Sequence, residues 1–529
     1  MSTASPLFLG LDVGTQSVRA ALIDLQGRCR AFATAALDTF HPQPAWAEQD
    51  PTQWWQATCA AVRGALANAG APAREIAAIG LDCTACTVIA CQKDGTPLRR
   101  ALLWMDQRAY REAEQVSSTA DPILRYVSGA VSPEWMLPKA LWLKRHEPEV
   151  YRRANRVVEC TDWIMYRLTG EWTLSLNHVT VKWNYARPDG GWSRALLEKS
   201  GLGDLEEKWP TGIVPLGQGN SRLSAAAARE LGLAAGTPVA QGGIDAYLGM
   251  LGLGAVGAGD LAMVMGSSTC HLAMSPNPLL GSGMLGCYPD AVVEGFYTLE
   301  GGQTATGSIL NWYRQHFAGN EVAEAARTGQ NVYEILDAKA AQVPPGSEGL
   351  VCLDYWQGNR CPLKDPRARG AFWGLTLSHG SGHLFRSIYE ATAYGTRHIL
   401  EDLQAHGFTL SRLFAGGGGA KSRLWVQIQA DVLGRPIHVP RDQEACALGS
   451  ALVAAVHSGH YADLAEAAAN MVQIGEVIEP QEANKATYDY YYSAYVTTYP
   501  ALRPLMHQMV DRVASPVEPR AARSSTPKA

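Results

Sequence analysis

The chain has 529 residues, room for about two to four domains and for a core that needs no disulfide or metal staple. Hydrophobic residues make up 47% and charged residues 18%, which excludes wholesale disorder, a collagen-like chain or a coiled-coil rod. Forty-five basic against fifty acidic residues leave a net charge of −5, so no broad positive field favours nucleic acid or an anionic membrane.

The start, MSTASPLFLGLDVG, reaches its apolar run without a basic region, so no signal peptide is expected. The later apolar stretches are broken by glycines and by Asp260, so no membrane span is expected either. Eleven scattered cysteines predict reduced thiols and a cytoplasmic protein. Cys83 and Cys86 form one CxxC without a second pair, which predicts buried structural thiols rather than a zinc or redox centre.

In chain order, LFLGLDVG and AALIDLQG read as two strands joined at TQSVR, a hairpin with Asp12 near its tip. A helix follows, with Asp50 as N-cap, Pro51 in the first turn and Gly70 as the stop. IAAIGLDCTACTVIACQKDGTPL predicts a further strand pair, with a turn at Asp94-Gly95. QGGIDAYLGMLG is a glycine turn with Asp245 opening a helix. GAGDLAMVMGSSTCHLAMSPNP repeats the strand–turn–strand pattern of the first hairpin. RLFAGGGGAKSRLWVQIQADVLGRPIHVP reads as strand, four glycines, helix and strand, and QEACALGSALVAAV as an apolar helix. The expected division is 1–252, 253–513 and a disordered tail over 514–529. Strands alternating with helices predict an α/β fold, and two related lobes with a glycine-rich loop in each predict nucleotide in the cleft between them.

Two glycine motifs are decoys. Gly252, Gly254 and Gly257 spell GxGxxG, but a helix precedes them and a strand follows, the reverse of a dinucleotide fingerprint. Ala420-Lys421-Ser422 has the ending of a P-loop, yet Ala415 and Ala420 stand where its glycines must be. The hairpin tips and the tetraglycine turn are better anion sites, because successive backbone N–H groups there form a concave donor surface. A carboxylate such as Asp12 at a strand end suits Mg²⁺. Asp245, after two glycines that clear the approach, is the candidate base for phosphoryl transfer, with an ordinary helix cap as the alternative.

These residues resemble the FGGY carbohydrate kinases. GAFWGLTLSHGSGHLFRSIYEAT carries Gly370, Gly374, Leu375, His383, Leu384, Ser387 and Glu390 on the spacing of the family's C-terminal signature. WMLPKALWLKRHE approximates the central one through Lys139, Trp142 and Leu143, while Met136 and Ala140 depart from it. The resemblance runs from about Leu7 to about His457 and implies two ribonuclease H-like domains of the actin/Hsp70/sugar kinase superfamily with a cleft between them. It implies ATP and Mg²⁺ as cofactors. Asp12 would be the metal residue, and Gly14, Thr15, Gln16, Ser17 and Arg19 the first phosphate loop. Gly266, Ser267 and Ser268 would form the second, Ser267 replacing the more frequent Thr. Gly307 and Asn311 would contact nucleotide, as would Gly417, Gly418 and Ser422. Asp245 matches the catalytic base.

The sugar-facing segments are similar to those of ribulokinases: Thr84 and Ala85 in GLDCTACTV, Lys182 in VTVKWNY, Glu300 and Gln303 in LEGGQTATG. LLWMDQRA is more similar to xylulokinases and D-ribulose kinases, which would place Trp104, Asp106 and Arg108 at the far end of the sugar site or on a surface turn. The expected activity is ATP-dependent phosphorylation of a pentulose, D-ribulose first, with L-ribulose, xylulose or another polyol as alternatives. Lys182 and Glu300 are expected either to read sugar hydroxyls or to pair with each other. An actin- or Hsp70-like ATPase would share the loops but not a carboxylate aimed at sugar. A sugar-responsive repressor would need a DNA-binding module ahead of Asp12. The expected partners are a small sugar and ATP, with no nucleic acid or membrane; a homodimer is compatible with the sequence.

Overall fold

The computed structural model describes residues 5–441 and 444–514. All seven residues of the Leu7–Val13 strand are buried, as a continuous apolar run covered on both faces demands. It pairs antiparallel with Ser17–Asp24, which pairs antiparallel with Cys29–Ala36. On its other side it pairs parallel with Ile76–Cys83, and that strand pairs parallel with Gly243–Ile244. The later half repeats this order and these directions. Asp260–Met265 pairs antiparallel with Thr269–Ser275, which pairs antiparallel with Tyr297–Gln303. Asp260–Met265 also pairs parallel with Arg412–Gly416, followed by Ile437–Pro440. The fold is therefore α/β, built on two sheets of one topology, as expected.

Local chemistry sets the ends of elements. The Pro51–Ala69 helix begins where the Asp50 side chain accepts from Thr52 N, and ends at Gly70 in the left-handed region. One expected hairpin does not form. Ile76–Cys83 belongs to the five-stranded sheet, whereas Val88–Cys91 belongs to a separate four-stranded sheet. The intervening turn, with Cys86 at φ 56°, diverts the chain from one sheet to the other. Cys83 and Cys86 are buried free thiols.

Each sheet's fifth strand leads into a helix, Asp245–Gly252 in the first half and Ala445–His457 in the second. These helices pack on each other between the lobes, and Ala445–His457 also lies against the first sheet. Glycines make that approach possible. A Cβ on Gly10 would lie 2.1 Å from the Ala447 carbonyl oxygen, and one on Gly80 only 1.8 Å from that of Ser450. The first hydrophobic core thus includes residues from late in the chain, while a second core surrounds the seven-stranded sheet and the Ser381–Ala405 helix. Among the described residues no helix is long and apolar enough to cross a membrane. The tail expectation falls on residues outside those described, apart from Ala514, the last residue of the Glu482–Ala514 helix.

Candidate functional site

Strand register builds a carboxylate cluster at the C-terminal end of the first sheet. Asp12 lies beside Asp82 in the parallel pairing of their strands, and Asp82 lies beside Gly243, two residues before Asp245. Arg19 donates to Asp12 Oδ2 at 2.6 Å across the hairpin. Ser450 donates to Asp82 Oδ2 at 2.7 Å from the inserted helix, while Asp82 Oδ1 is buried without a hydrogen-bond partner. Asp245 sits at the N-terminus of its helix, where its Oδ1 accepts from Ala246 N. Burial, then the charge of Asp12, pushes Asp245 up to about 7. Burial also raises Asp12 despite Arg19, and raises Asp82 well above the carboxylate range. Asp245 is therefore poised to exchange a proton near neutral pH. Two close carboxylates with an uncommitted oxygen also fit a hard divalent cation, and Asp12, Asp82 and Cys446 bring ligand atoms within 4.8 Å of one another.

Sequence reasoning missed Asp82. The available signal was that LFLGLDVG and IAAIGLDC both place an Asp at the end of an apolar strand. Only the register puts the two side by side.

The first hairpin tip is closed by Gly14 N donating to Ser17 O. The Thr15 hydroxyl accepts from Trp104 Nε1 at 2.9 Å, and the Gln16 carbonyl accepts from Leu37 N. The second tip, Gly266–Ser268, is stitched to the start of the Gly307–His316 helix: Gly307 N donates to Gly266 O, and Ser308 N to Ser267 O. A cavity of ≈ 420 Å³ joins Arg19 of the first hairpin to Gly416, Gly417, Gly418 and Lys421 of the tetraglycine turn. Two expected nucleotide contacts have other commitments. The Ser422 hydroxyl caps its helix and donates to Asp337, and Asn311 Oδ1 accepts from Arg314.

Among the residues expected to face sugar, Thr84 N donates to Val13 O, which seats the Thr84–Thr87 turn against the first hairpin. Thr84 and Thr87 hydroxyls bond at 2.9 Å, and Ala85 lies between them. The turn is clamped from below. Cys86 N donates to the buried Glu159, and the fully buried Lys139 donates to Cys86 O and Leu103 O. Lys139 of the central signature is thus an anchor, with burial lowering it to about 8.

Lys182 and Glu300 do pair, at 2.7 Å, and Tyr247 donates to the same Glu300 oxygen at 3.0 Å. Burial opposes both charges, but Lys182 still holds Glu300 below its ordinary value. The Lys182 ammonium lies 5.1 Å from the Trp135 ring and 5.7 Å from that of Tyr288. Tyr247, Tyr288 and Trp135 were not singled out from sequence, which offers no local cue for them. Gln303 does not share this face. It is three residues from Glu300 on one strand, so it points the other way, to Asp354, Thr392 and Thr396.

The far-end expectation is corrected for Asp106 and Arg108. Arg108 is buried, paired with Asp106 and Glu48 and stacked 3.6 Å from the Trp46 ring centroid. This is a packed ion cluster, and of the three only Trp104 reaches the tip of the first hairpin, at Thr15. Glu390 of the C-terminal signature is likewise buried, accepting from Gly346 N, Ser347 and Arg386.

Comparison with known proteins agrees with this architecture. The N-terminal domain of the FGGY family of carbohydrate kinases matches residues 7–252, and the C-terminal domain matches 261–458. A ribulokinase of Anoxybacillus flavithermus is 32% identical over 523 residues, covering 92% of this chain and 93% of that protein. A Homo sapiens FGGY carbohydrate kinase domain-containing protein is 33% identical over 533 residues, covering 92% and 95%. The crystal structure of xylulose kinase from Rhodospirillum rubrum superposes with a TM-score of 0.84 at 31% identity, covering 94% of this chain and 99% of that one. The chain belongs to the FGGY family of carbohydrate kinases and is a sugar phosphotransferase.

Proposed function

We propose that the protein transfers the γ-phosphoryl group of ATP to the terminal hydroxyl of a pentulose, D-ribulose first. The observation that carries this reading is Asp245, buried at the start of its helix within reach of the Asp12–Arg19 pair of the first hairpin and raised to about 7 by that burial. Asp245 takes the proton as the sugar oxygen attacks phosphorus, and the bridging oxygen leaves with ADP. Backbone N–H groups of Thr15 and Gln16 at the first tip and of Ser267 and Ser268 at the second face the phosphates, while those of Gly14 and Gly266 close the two turns. Asp12 and Asp82 would hold Mg²⁺, which when bound neutralises charge on the phosphates. Residues 1–252 supply the first loop and, through Asp245 and Lys182, most of the sugar site, and 253–513 supply the nucleotide site together with Glu300.

The ribulose preference is supported by the Lys182–Glu300 pair and by relatives that bear the name ribulokinase. Lys182 offers donors and Glu300 acceptors, so together they can read hydroxyl configuration. The likeness to a xylulose kinase structure keeps xylulose as the second reading. The deciding measurement is kcat/KM for D-ribulose, L-ribulose, D-xylulose and glycerol. D-Ribulose is expected to be best. L-Ribulose as best substrate would correct only the handedness, and xylulose or glycerol as best would overturn the assignment.

A further inference from the structure

One buried hydroxyl beside the Lys182–Glu300 pair is poorly satisfied. Tyr288 is 0% exposed, and its hydroxyl faces the Glu300 carboxylate without making a hydrogen bond of full geometry. A buried hydroxyl left unpaired costs about 1–3 kcal/mol, so its persistence needs an explanation.

Strand pairing supplies the placement. Gly286–Pro289 pairs antiparallel with Tyr297–Gln303, with Gly286 opposite Glu300 and Tyr288 opposite Thr298. Residues two apart on a strand share a face, so Gly286, Tyr288 and Glu300 all lie on one side of the sheet. A Cβ on Gly286 would lie 2.1 Å from Tyr288 Cζ and 2.3 Å from its hydroxyl oxygen. The ring is thus folded back over Gly286, toward Glu300 and the Lys182 ammonium. Lys182 and Tyr247 both use Glu300 Oε2. Tyr247 also stands two residues beyond Asp245, and Cys270 lies within electrostatic range of both Asp245 and Glu300. A small sugar reaching from Asp245 would have its other end at Glu300.

We propose that Tyr288, held over Gly286, is a specificity-determining residue whose hydroxyl bonds the sugar hydroxyl remote from the one phosphorylated, together with Glu300 and Lys182. The inference rests on the reading of the cleft as a ketose site. The ligand class is an open-chain ketose or polyol with a free hydroxyl at that remote end. A methyl group there leaves Tyr288 unpaired, and a carboxylate meets the charge of Glu300.

The test uses Tyr288→Phe and Gly286→Ala in the full chain. Substrates are D-ribulose and its analogue with hydrogen in place of the remote terminal hydroxyl. Steady-state kinetics are paired with calorimetric sugar binding in the absence of nucleotide. Tyr288→Phe is expected to raise KM and the sugar Kd by about 5–10-fold on D-ribulose, with kcat changed less than about twofold. On the deoxy analogue, wild type and variant should be equal. Gly286→Ala, which displaces the ring, should act in the same direction. Wild-type affinity in Tyr288→Phe, or an equal loss on both sugars, overturns the inference and leaves a packing role. Failure of the wild type to bind any ketose overturns the reading of the cleft, and this inference with it.

Discussion

Replacing Asp245 with Asn separates its chemical role from its cost to the fold. Asn keeps the size of the side chain and an oxygen to accept from Ala246 N, but loses charge and basicity. Burial and Asp12 carry the Asp245 carboxyl from 3.8 to about 7 in the folded chain. At about 1.4 kcal/mol per unit this is on the order of 4 kcal/mol, and partial access to cleft water brings it to about 2–4 kcal/mol. Because the folded pKa is raised, the cost is fully present above pH 7, where both states are ionised, and vanishes below pH 3.8, where both are neutral. At about pH 5 less than half remains. Asp245→Asn should therefore be more stable than wild type at pH 8, and much less so at pH 5, in ligand-free urea unfolding. Phosphoryl transfer should fall by at least ~10²–10⁴-fold with sugar binding retained. In the wild type, kcat/KM should rise with pH toward a plateau above about 7. An Asn variant within tenfold of wild-type turnover would remove Asp245 as the base, and a stability difference independent of pH would show that its carboxyl is not raised.

Asp12→Ala should raise the Mg²⁺ concentration needed for half-maximal turnover while leaving calorimetric sugar affinity unchanged, since Lys182 and Glu300 form a separate pair; lost sugar binding with an unchanged Mg²⁺ requirement would contradict this. Lys139 is lowered from 10.5 to about 8, so the penalty for burying its charge is full below pH 8 and is relieved as pH rises to 10.5. The stability of wild type relative to Lys139→Met should accordingly increase by about 3 kcal/mol across that window, and a flat difference would show that the amine is not desolvated. Gly80→Ala places a Cβ 1.8 Å from the Ser450 carbonyl oxygen, a backbone atom that cannot swing aside. It should destabilise the chain by about 1–3 kcal/mol or more in thermal unfolding and loosen the Ser450–Asp82 bond; near-normal stability would argue against the tight seating of that helix.

Features that depend on neighbours in the chain were legible in the order of residues. Apolar runs ending in glycine turns gave both hairpins, Asp50-Pro51 and Gly70 bounded the first long helix, and the QGGID turn opened a helix at Asp245. Strand period, cap chemistry and turn propensity act over a few residues, so they are legible without tertiary context. The family signatures were legible for the same reason, although Lys139 and Glu390 within them turn out to anchor turns from below.

Features that depend on packing between distant segments were not legible in this way. Apolar content cannot say which sheet a strand joins, so the divergence of Ile76–Cys83 from Val88–Cys91 was invisible. The charged pair in LLWMDQRA looked available for ligand until Trp46 and Glu48 closed over it. Glu300 and Gln303 looked like one motif until the strand extended through both and turned them to opposite faces. Asp82 meets Asp12 through strand register, and its other contact, Ser450, lies 368 residues away. Pairings at such separations are set by how helices and sheets pack, with glycines admitting one backbone against another, and no local pattern encodes them.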